Sequence, residues 1–587
     1  MENFALLHRP GSHPGQVELL RCEIGAPAAG ERLMIVPAGA EPPVTLGVTG
    51  RVSMPVEVAL RRFSAELPAL ATAGFDISDD DYAAIVRRVV DEDIATGAGS
   101  NFVIRRTFLA AYEKWHARAA TALFANLLRA EHGAYWTFVV HWAGRTLAGA
   151  TPECHVRMSG GRAAMNPISG TYRYPPQGPD AAGLQRFLTD RKERAELLMV
   201  VDEELKMMAR VCPGGGRVRG PWLRPMARLA HTEYVIEGPT PLDPAEVLRR
   251  TMPVPTVTGS PVAGAQRVVA AHERTDRGCY GGVLALVDGR EMDSALLIRT
   301  ADIDARGRVA VAVGATLVRG SDPRAEVRET QAKAAAVLGA LHGGGPAPVP
   351  SLVRVGLPGR NTGLSRFWLG GHKPVAPPTG ERLVIVDAAD DFTAMLARMA
   401  ESLGLAVEVV PWHRYRPADA APRPGGPGKA ALTLLGPGPG DPRDRTDPRI
   451  ARLRDIAGEL LVTGAPLLAV CLGHQCVAAE LGLRLVRLDR PAQGVRRLIT
   501  VAGRPEQVGF YNSFAAVSAT DRDGPYHFER DETSTQVHTI GGPGLRTVQF
   551  HVESLLTEHG PELLRSMIAA VRQPARSDVK VHPTVRW

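Results

Sequence analysis

The sequence predicts two domains of different class: an α+β domain over residues 1–342 and an α/β domain over residues 381–587, separated by a linker at 343–380. Three observations lead there. The chain has 587 residues, and a single core stops growing near roughly 250–300 residues. The stretch 343–380 contains GGGPAPVPSL and GGHKPVAPPTG, and Gly and Pro at that density interrupt helices and strands. Beyond it, short apolar runs alternate with amphipathic helical pattern, which predicts a parallel central sheet with flanking helices.

Each element of the second domain follows from local pattern. RLVIVDA reads as a buried strand, DFTAMLARMAESLG as an amphipathic helix ended by Gly404, and AVEVVPW as a strand. ALTLLGPGPGDP and PLLAVCLGH each read as a strand entering a turn. TVQFHVES reads as a strand that carries His551 and Glu553 on one face, because residues i and i+2 point the same way. The first domain mixes long helices, expected at 183–210 and 322–342, with strands such as AYWTFVVHWAG, GGVLALVDG, SALLIRT and RVAVAVGATLV. Asp322 is placed to N-cap its helix and Pro323 to occupy the first helical position. The strands cluster as hairpins and the helices are segregated, hence α+β.

Hydrophobic content of 44% and charged content of 22% are those of a globular protein. The net charge of +7 arises from 69 basic and 62 acidic residues scattered along the chain. No basic block with interleaved aromatics predicts a nucleic-acid partner. No apolar run reaches about 18 residues, and the start MENFALLHRPGSHPG lacks the pattern of a signal peptide, so the sequence predicts no membrane partner and a cytoplasmic location. The six cysteines (22, 154, 212, 279, 471, 476) form no CxxC pair and read as reduced.

Cys471 lies directly after an apolar run, with Gly473 two residues on. A strand-to-helix elbow of this kind exposes its central side chain above a sheet, and N–H groups of the turn face a developing oxyanion. The helix N-terminus favours a thiolate there. His551 can activate the thiol, and Glu553 can orient His551. A lone cysteine after a strand is ordinarily packing, and a lone HxE ordinarily lies at the surface. Their coincidence with GPGPGDP on one α/β pattern favours catalysis. VCLGHQ, QFHVES and GPGPGDP resemble class I glutamine amidotransferases over about residues 381–572. The resemblance implies that Cys471 attacks the side-chain amide of glutamine, that Gly438 and the Leu472 N–H form the oxyanion hole, and that Gln475 helps to hold glutamine. Ala469, YNSF and PAQG depart from the spelling of many members.

Ammonia made in one domain calls for a consumer in the other. RKERAELLMVVDEEL carries Glu193 and Glu196, and DPRAEVRETQAKA carries Glu326, Glu329 and Lys333 at helical spacing. A solvated helix with a Glu329–Lys333 pair is the plain reading; two facing helices could hold Mg²⁺, which takes carboxylate oxygens. TPECHV, NPISGTYRYP, HTEYVIEG, TVTGSPVAGA, RGCYGGVLALVDG, LLIRTADI and AEVRETQAKA occur in the order seen in chorismate-utilising enzymes, over about residues 94–336. That resemblance implies Glu196, Glu326 and Glu329 as Mg²⁺ ligands and Glu153 as general acid for loss of the 4-hydroxyl. It implies Tyr280, Arg299 and Lys333, with backbone at Gly170, Thr171 and Gly314, as carboxylate binders, and His231 beside the pyruvyl side of the ring.

Members that add water carry a lysine base where this chain has Asn101, and members that attack C4 carry a lysine where it has Val262. A neutral amide cannot deprotonate water, whereas ammonia needs no such base. Addition of ammonia at C2 is therefore expected, giving 2-amino-2-deoxyisochorismate. Domain order and local spellings resemble the phenazine-type 2-amino-2-deoxyisochorismate synthases, with anthranilate synthase, which goes on to eliminate pyruvate, as the alternative. The expected substrates are chorismate and L-glutamine, with ammonia channelled between domains. A homodimer is expected from the linker and the resemblance. A degenerate scaffold subunit would need broken catalytic positions, and Cys471, His551, Glu553 and Glu153 are all present.

Overall fold

The computed structural model describes residues 3–25, 30–175, 177–227, 229–345, 355–370, 379–420 and 431–572. They form two compact units. One extends to Asn361 apart from Ala95–Ser100 and Gly214–Arg217; the other comprises those two segments and the chain from Thr362.

The first unit is built on antiparallel strands. Asn101–Tyr112 pairs along its length with Arg308–Leu317, and its start pairs with Gly259–Ser260. Strand Phe4–His8 lies beside Trp136–Trp142. Its alternate residues enter two core layers: Phe4 and Leu6 pack with Leu123, Phe124 and Val139, whereas Ala5 and Leu7 pack with Trp136, Phe138 and Val140. Burial on both faces explains why these strands read as nearly unbroken apolar runs.

Helix Pro323–Leu341 starts as its caps require, with the Asp322 side chain accepting from the Ala325 N–H at 2.7 Å. The helix expected at 183–210 is two helices, Ala181–Thr189 and Arg191–Val211. Asp190 between them is extended, and its side chain accepts from the Glu193 N–H at 3.3 Å, which starts the second helix afresh. Glu193 thus occupies the first turn of the second helix and Glu196 the turn after it, rather than mid-helix.

The second unit has the parallel strands Ala406–Pro411, Arg382–Asp387, Leu432–Leu435, Leu467–Val470 and Leu545–Val548, in that spatial order. Val537–Gly542, Tyr526–Arg530 and Arg522–Asp523 extend the sheet in antiparallel fashion. Helix Leu472–Glu480 follows Cys471 directly. The segments after Leu435, Val470 and Val548 leave the carboxyl ends of adjacent parallel strands, where open α/β sheets place their sites.

Residues 346–354 and 371–378 of the expected linker lie outside the described residues, as do residues 573–587 of the expected second domain. Other parts of 343–380 carry short elements. Val355–Gly356 pairs with Trp222 and Leu223, and helix Arg366–Gly370 buries Trp368, whose indole N–H donates to the Glu553 carbonyl at 2.7 Å. No described helix is long and apolar enough to cross a membrane.

Candidate functional site

A cavity of about 430 Å³ opens in the first unit. Asn101, Glu153, Gly170, Thr171, Glu196, His231, Tyr280, Arg299, Gly314, Glu326, Glu329 and Lys333 all line it. They come from distant parts of the chain: Asn101 opens its strand, Glu153 sits in the turn between strands Arg145–Thr151 and Cys154–Ser159, and the glutamates lie on the helices Arg191–Val211 and Pro323–Leu341.

Burial pushes the Glu153 carboxyl up to about 7, against the opposing pull of the Thr256 hydroxyl, Lys333 and Arg224. The group is therefore poised to give up a proton near neutrality. Burial, helped by Arg299, pushes His231 down to about 3, so its imidazole is neutral. Nδ1 lies 2.8 Å from the Gly170 carbonyl, which can only accept, so Nδ1 carries the proton. Nε2 is left as a lone pair without a hydrogen-bond partner.

Lys333 donates to the Gly314 carbonyl at 2.9 Å and pairs with Glu329 at 2.7 Å. A Cβ on Gly314 would lie 2.6 Å from the Tyr280 hydroxyl, so that approach requires glycine. Arg299 is held in the left-handed region at φ 52°, and burial lowers its guanidinium pKa. Cations and carboxylates lining one cavity suit an anion held together with a metal.

In the second unit, Cys471 adopts φ 52° and ψ −105°, a strained backbone costing about 1–3 kcal/mol that places it between its strand and helix. A Cβ on Gly473 would lie 2.3 Å from the Leu435 carbonyl, which explains the small residue after the elbow. His551 and Glu553 do not share a strand face. The strand ends at Val548, His551 makes an isolated bridge to Gly509, and Glu553 lies in a turn. The turn still brings His551 Nδ1 to 2.8 Å from Glu553 Oε1, both buried. Burial opposes charge on His551, but Glu553 and then the Cys471 sulfur outweigh it and hold the imidazole well above its usual range. Nε2 makes no hydrogen bond within geometric limits, although the sulfur is near enough to act on it electrostatically. Gly438 lies close against Leu472: an added Cβ would fall 2.6 Å from a Leu472 methyl. Gln475 is buried and donates to the Phe514 carbonyl at 2.7 Å and to Gln549 Oε1 at 3.0 Å.

Comparison with known proteins gives the family of each domain. The chorismate binding enzyme family matches residues 56–339, and the class-I glutamine amidotransferase family matches residues 384–571. "Anthranilate synthase, phenazine specific" of Pseudomonas chlororaphis is 42% identical over 98% of this chain and 96% of its own length. The protein of the same description from Pseudomonas fluorescens is 41% identical over 98% and 96%. The chain belongs to this family of chorismate-binding enzymes fused to a class-I glutamine amidotransferase. "Anthranilate synthase" of Azospirillum brasilense is 34% identical over 76% of this chain and 58% of its own length.

The chorismate-binding domain contains groups that sequence reading passed over. Thr256 donates to Glu153 Oε1 at 3.3 Å. Arg173 and Arg328 also line the cavity, and Glu193, already singled out in the sequence, accepts from the Thr171 N–H at 3.2 Å. Glu204 is buried with Oε2 unpartnered; burial and then Glu153 push it well above the carboxyl range. In the amidotransferase domain Gln549 was missed, although it lies two residues before His551 within QFHVES. Thr256 likewise opens TVTGSPVAGA, one of the motifs that carry the resemblance.

Glu196, Glu326 and Glu329 offer the oxygen donors that Mg²⁺ takes, and they open on the cavity that holds Arg299 and Lys333. The donor chemistry fits. Among the described residues, however, no three His, Cys, Asp or Glu side chains converge as a ligand set.

Proposed function

We propose that the chain transfers the amide nitrogen of glutamine to C2 of chorismate, giving 2-amino-2-deoxyisochorismate and glutamate, the water lost from chorismate balancing the water consumed in hydrolysing glutamine, within phenazine or related secondary metabolism. The observation that carries this reading is an elbow cysteine with its His–Glu pair in the same chain as a cavity holding Glu153 close to neutrality.

In the amidotransferase domain, the Cys471 thiol gives its proton to His551 and the sulfur attacks the amide carbon. Gly438 and the Leu472 N–H face the oxyanion, Gln475 helps to hold glutamine, and His551 returns the proton to the departing ammonia. Water then cleaves the thioester to glutamate.

In the chorismate-binding domain, Arg299, Tyr280 and Lys333, with backbone at Gly170, Thr171 and Gly314, bind the two carboxylates. Glu196, Glu326 and Glu329 would hold Mg²⁺, which when bound supplies positive charge to the ring carboxylate. Glu153 donates its proton to the 4-hydroxyl, which leaves as water while the ring double bond shifts. Ammonia adds at C2, and the resulting ammonium loses one proton. Asn101 cannot act as a base toward water, which favours ammonia as nucleophile. A homodimer and a cytoplasmic location complete the proposal.

One observation favours a second reading, anthranilate synthesis. The bare Nε2 of His231 lies at the cavity and could take a ring proton during pyruvate elimination once substrate carboxylates offset the Arg299, Arg224 and Lys333 charges that, with burial, weaken it as a base. Cys471→Ala tests the division of labour. It should abolish glutamine-dependent turnover and retain turnover with ammonium salts; equal loss of both would refute the assignment.

A further inference from the structure

We infer that Gln549 is a positioning residue for the nucleophile, holding the Cys471 sulfur as a thiolate through a side-chain N–H whose direction is dictated by Gln475. The inference rests on the reading of Cys471 as the glutaminase nucleophile. Gln549 Nε2 lies 3.9 Å from Cys471 Sγ, within hydrogen-bond reach for sulfur, and the contact is buried.

The direction of the amide follows from a chain of donors that starts at the backbone. The Phe514 carbonyl can only accept, so the neighbouring atom of Gln475 at 2.7 Å is its NH₂. The second N–H of that group points to Gln549 at 3.0 Å, which must present its oxygen. Gln549 is thereby left with its NH₂ toward the sulfur. Flipping Gln549 would set two donors against each other and two acceptors together. The polarity of the chain is therefore fixed before substrate arrives.

A competing contact makes the donor consequential. The thiol can donate to the Tyr511 carbonyl, 3.7 Å from Sγ, and that contact favours the protonated form. On deprotonation the same carbonyl faces a negative sulfur. An N–H aimed at Sγ favours the opposite form, because a donor stabilises charge more strongly than it stabilises a neutral thiol. His551, backed by Glu553 and two residues on from Gln549, is a titratable group close to the same sulfur. Gln475 already has its N–H groups engaged with Phe514 and Gln549, so toward glutamine it offers its oxygen.

Alkylation of Cys471 by iodoacetamide at neutral pH, read by mass spectrometry of its peptide from the full chain, tests this without turnover. Gln549→Leu and Gln549→Glu should each slow alkylation by at least about tenfold, the factor associated with one hydrogen bond to a charged partner. Each should lower glutamine-dependent kcat by a similar factor, with KM for glutamine unchanged. Gln549→Glu keeps the shape of the side chain and still accepts from Gln475, so it decides the matter should Gln549→Leu not fold. Alkylation of Gln549→Glu at the parent rate overturns the proposal. The nucleophile assignment fails separately, if Cys471→Ala retains glutamine-dependent turnover.

Discussion

The Thr256 hydroxyl donates to Glu153 Oε1 across 3.3 Å, a neutral donor beside a carboxyl that burial would otherwise drive further from ionisation. Thr256 is one of the groups that set the acid strength of Glu153 in this cavity. Burial raises the carboxyl, and Thr256, Lys333 and Arg224 restrain it at about 7.

The acid form of Glu153 should therefore be required for amination. With ammonium salts as nitrogen source and rates normalised to free ammonia, activity should fall as pH rises through about 7, because the proton to be donated is lost there. Glu153→Gln should remove that limb and reduce amination by about 10²–10⁴-fold, the usual contribution of a general acid. A flat profile in the parent enzyme would contradict the role.

Thr256→Val should displace the same limb toward higher pH, since the hydroxyl favours the ionised carboxyl. The hydrogen bond is worth about 0.5–1.5 kcal/mol, so the displacement should be about one pH unit or less. A displacement toward lower pH would show that Thr256 acts in another way.

Gly314→Ala should damage chorismate use without touching glutamine hydrolysis. Its methyl would lie 2.6 Å from the Tyr280 hydroxyl and 2.9 Å from a Val103 methyl, on the segment whose carbonyl holds Lys333. Overpacking of this kind costs about 1–3 kcal/mol, so kcat/KM for chorismate should drop by about ten- to a hundredfold. Steady-state assays with ammonium salts, beside glutamate release by the same preparation, separate the two effects.

Removal of divalent metal by chelation should stop chorismate consumption with either nitrogen source, and added Mg²⁺ should restore it. Glu326→Gln should raise the Mg²⁺ concentration needed for half-maximal rate. Chelator-resistant amination would refute the role given to Glu196, Glu326 and Glu329.

What could be read from the sequence, and what could not, divides along physical lines. The start of helix Pro323–Leu341 was legible because Asp322 and Pro323 act locally. The elbow at Cys471 was legible because a short apolar run met small residues. The break at Asp190 was hidden: helical periodicity continues through it, and the interruption rests on one side chain accepting the Glu193 N–H. The i, i+2 spacing of His551 and Glu553 suggested a strand, whereas the contact forms through a turn after Val548. Thr256 and Gln549 lie inside the motifs TVTGSPVAGA and QFHVES, but as neutral polar residues they announce no chemistry, and only tertiary packing brings them to Glu153 and Cys471.

The central claim is most directly tested by supplying chorismate, Mg²⁺ and glutamine labelled with ¹⁵N in its amide, and taking the mass of the product before any work-up that could expel pyruvate. The account predicts an amino-cyclohexadiene that retains its enolpyruvyl ether and carries the label. Labelled anthranilate with equimolar pyruvate would contradict the stopping point, and a product without the label would contradict nitrogen transfer from glutamine.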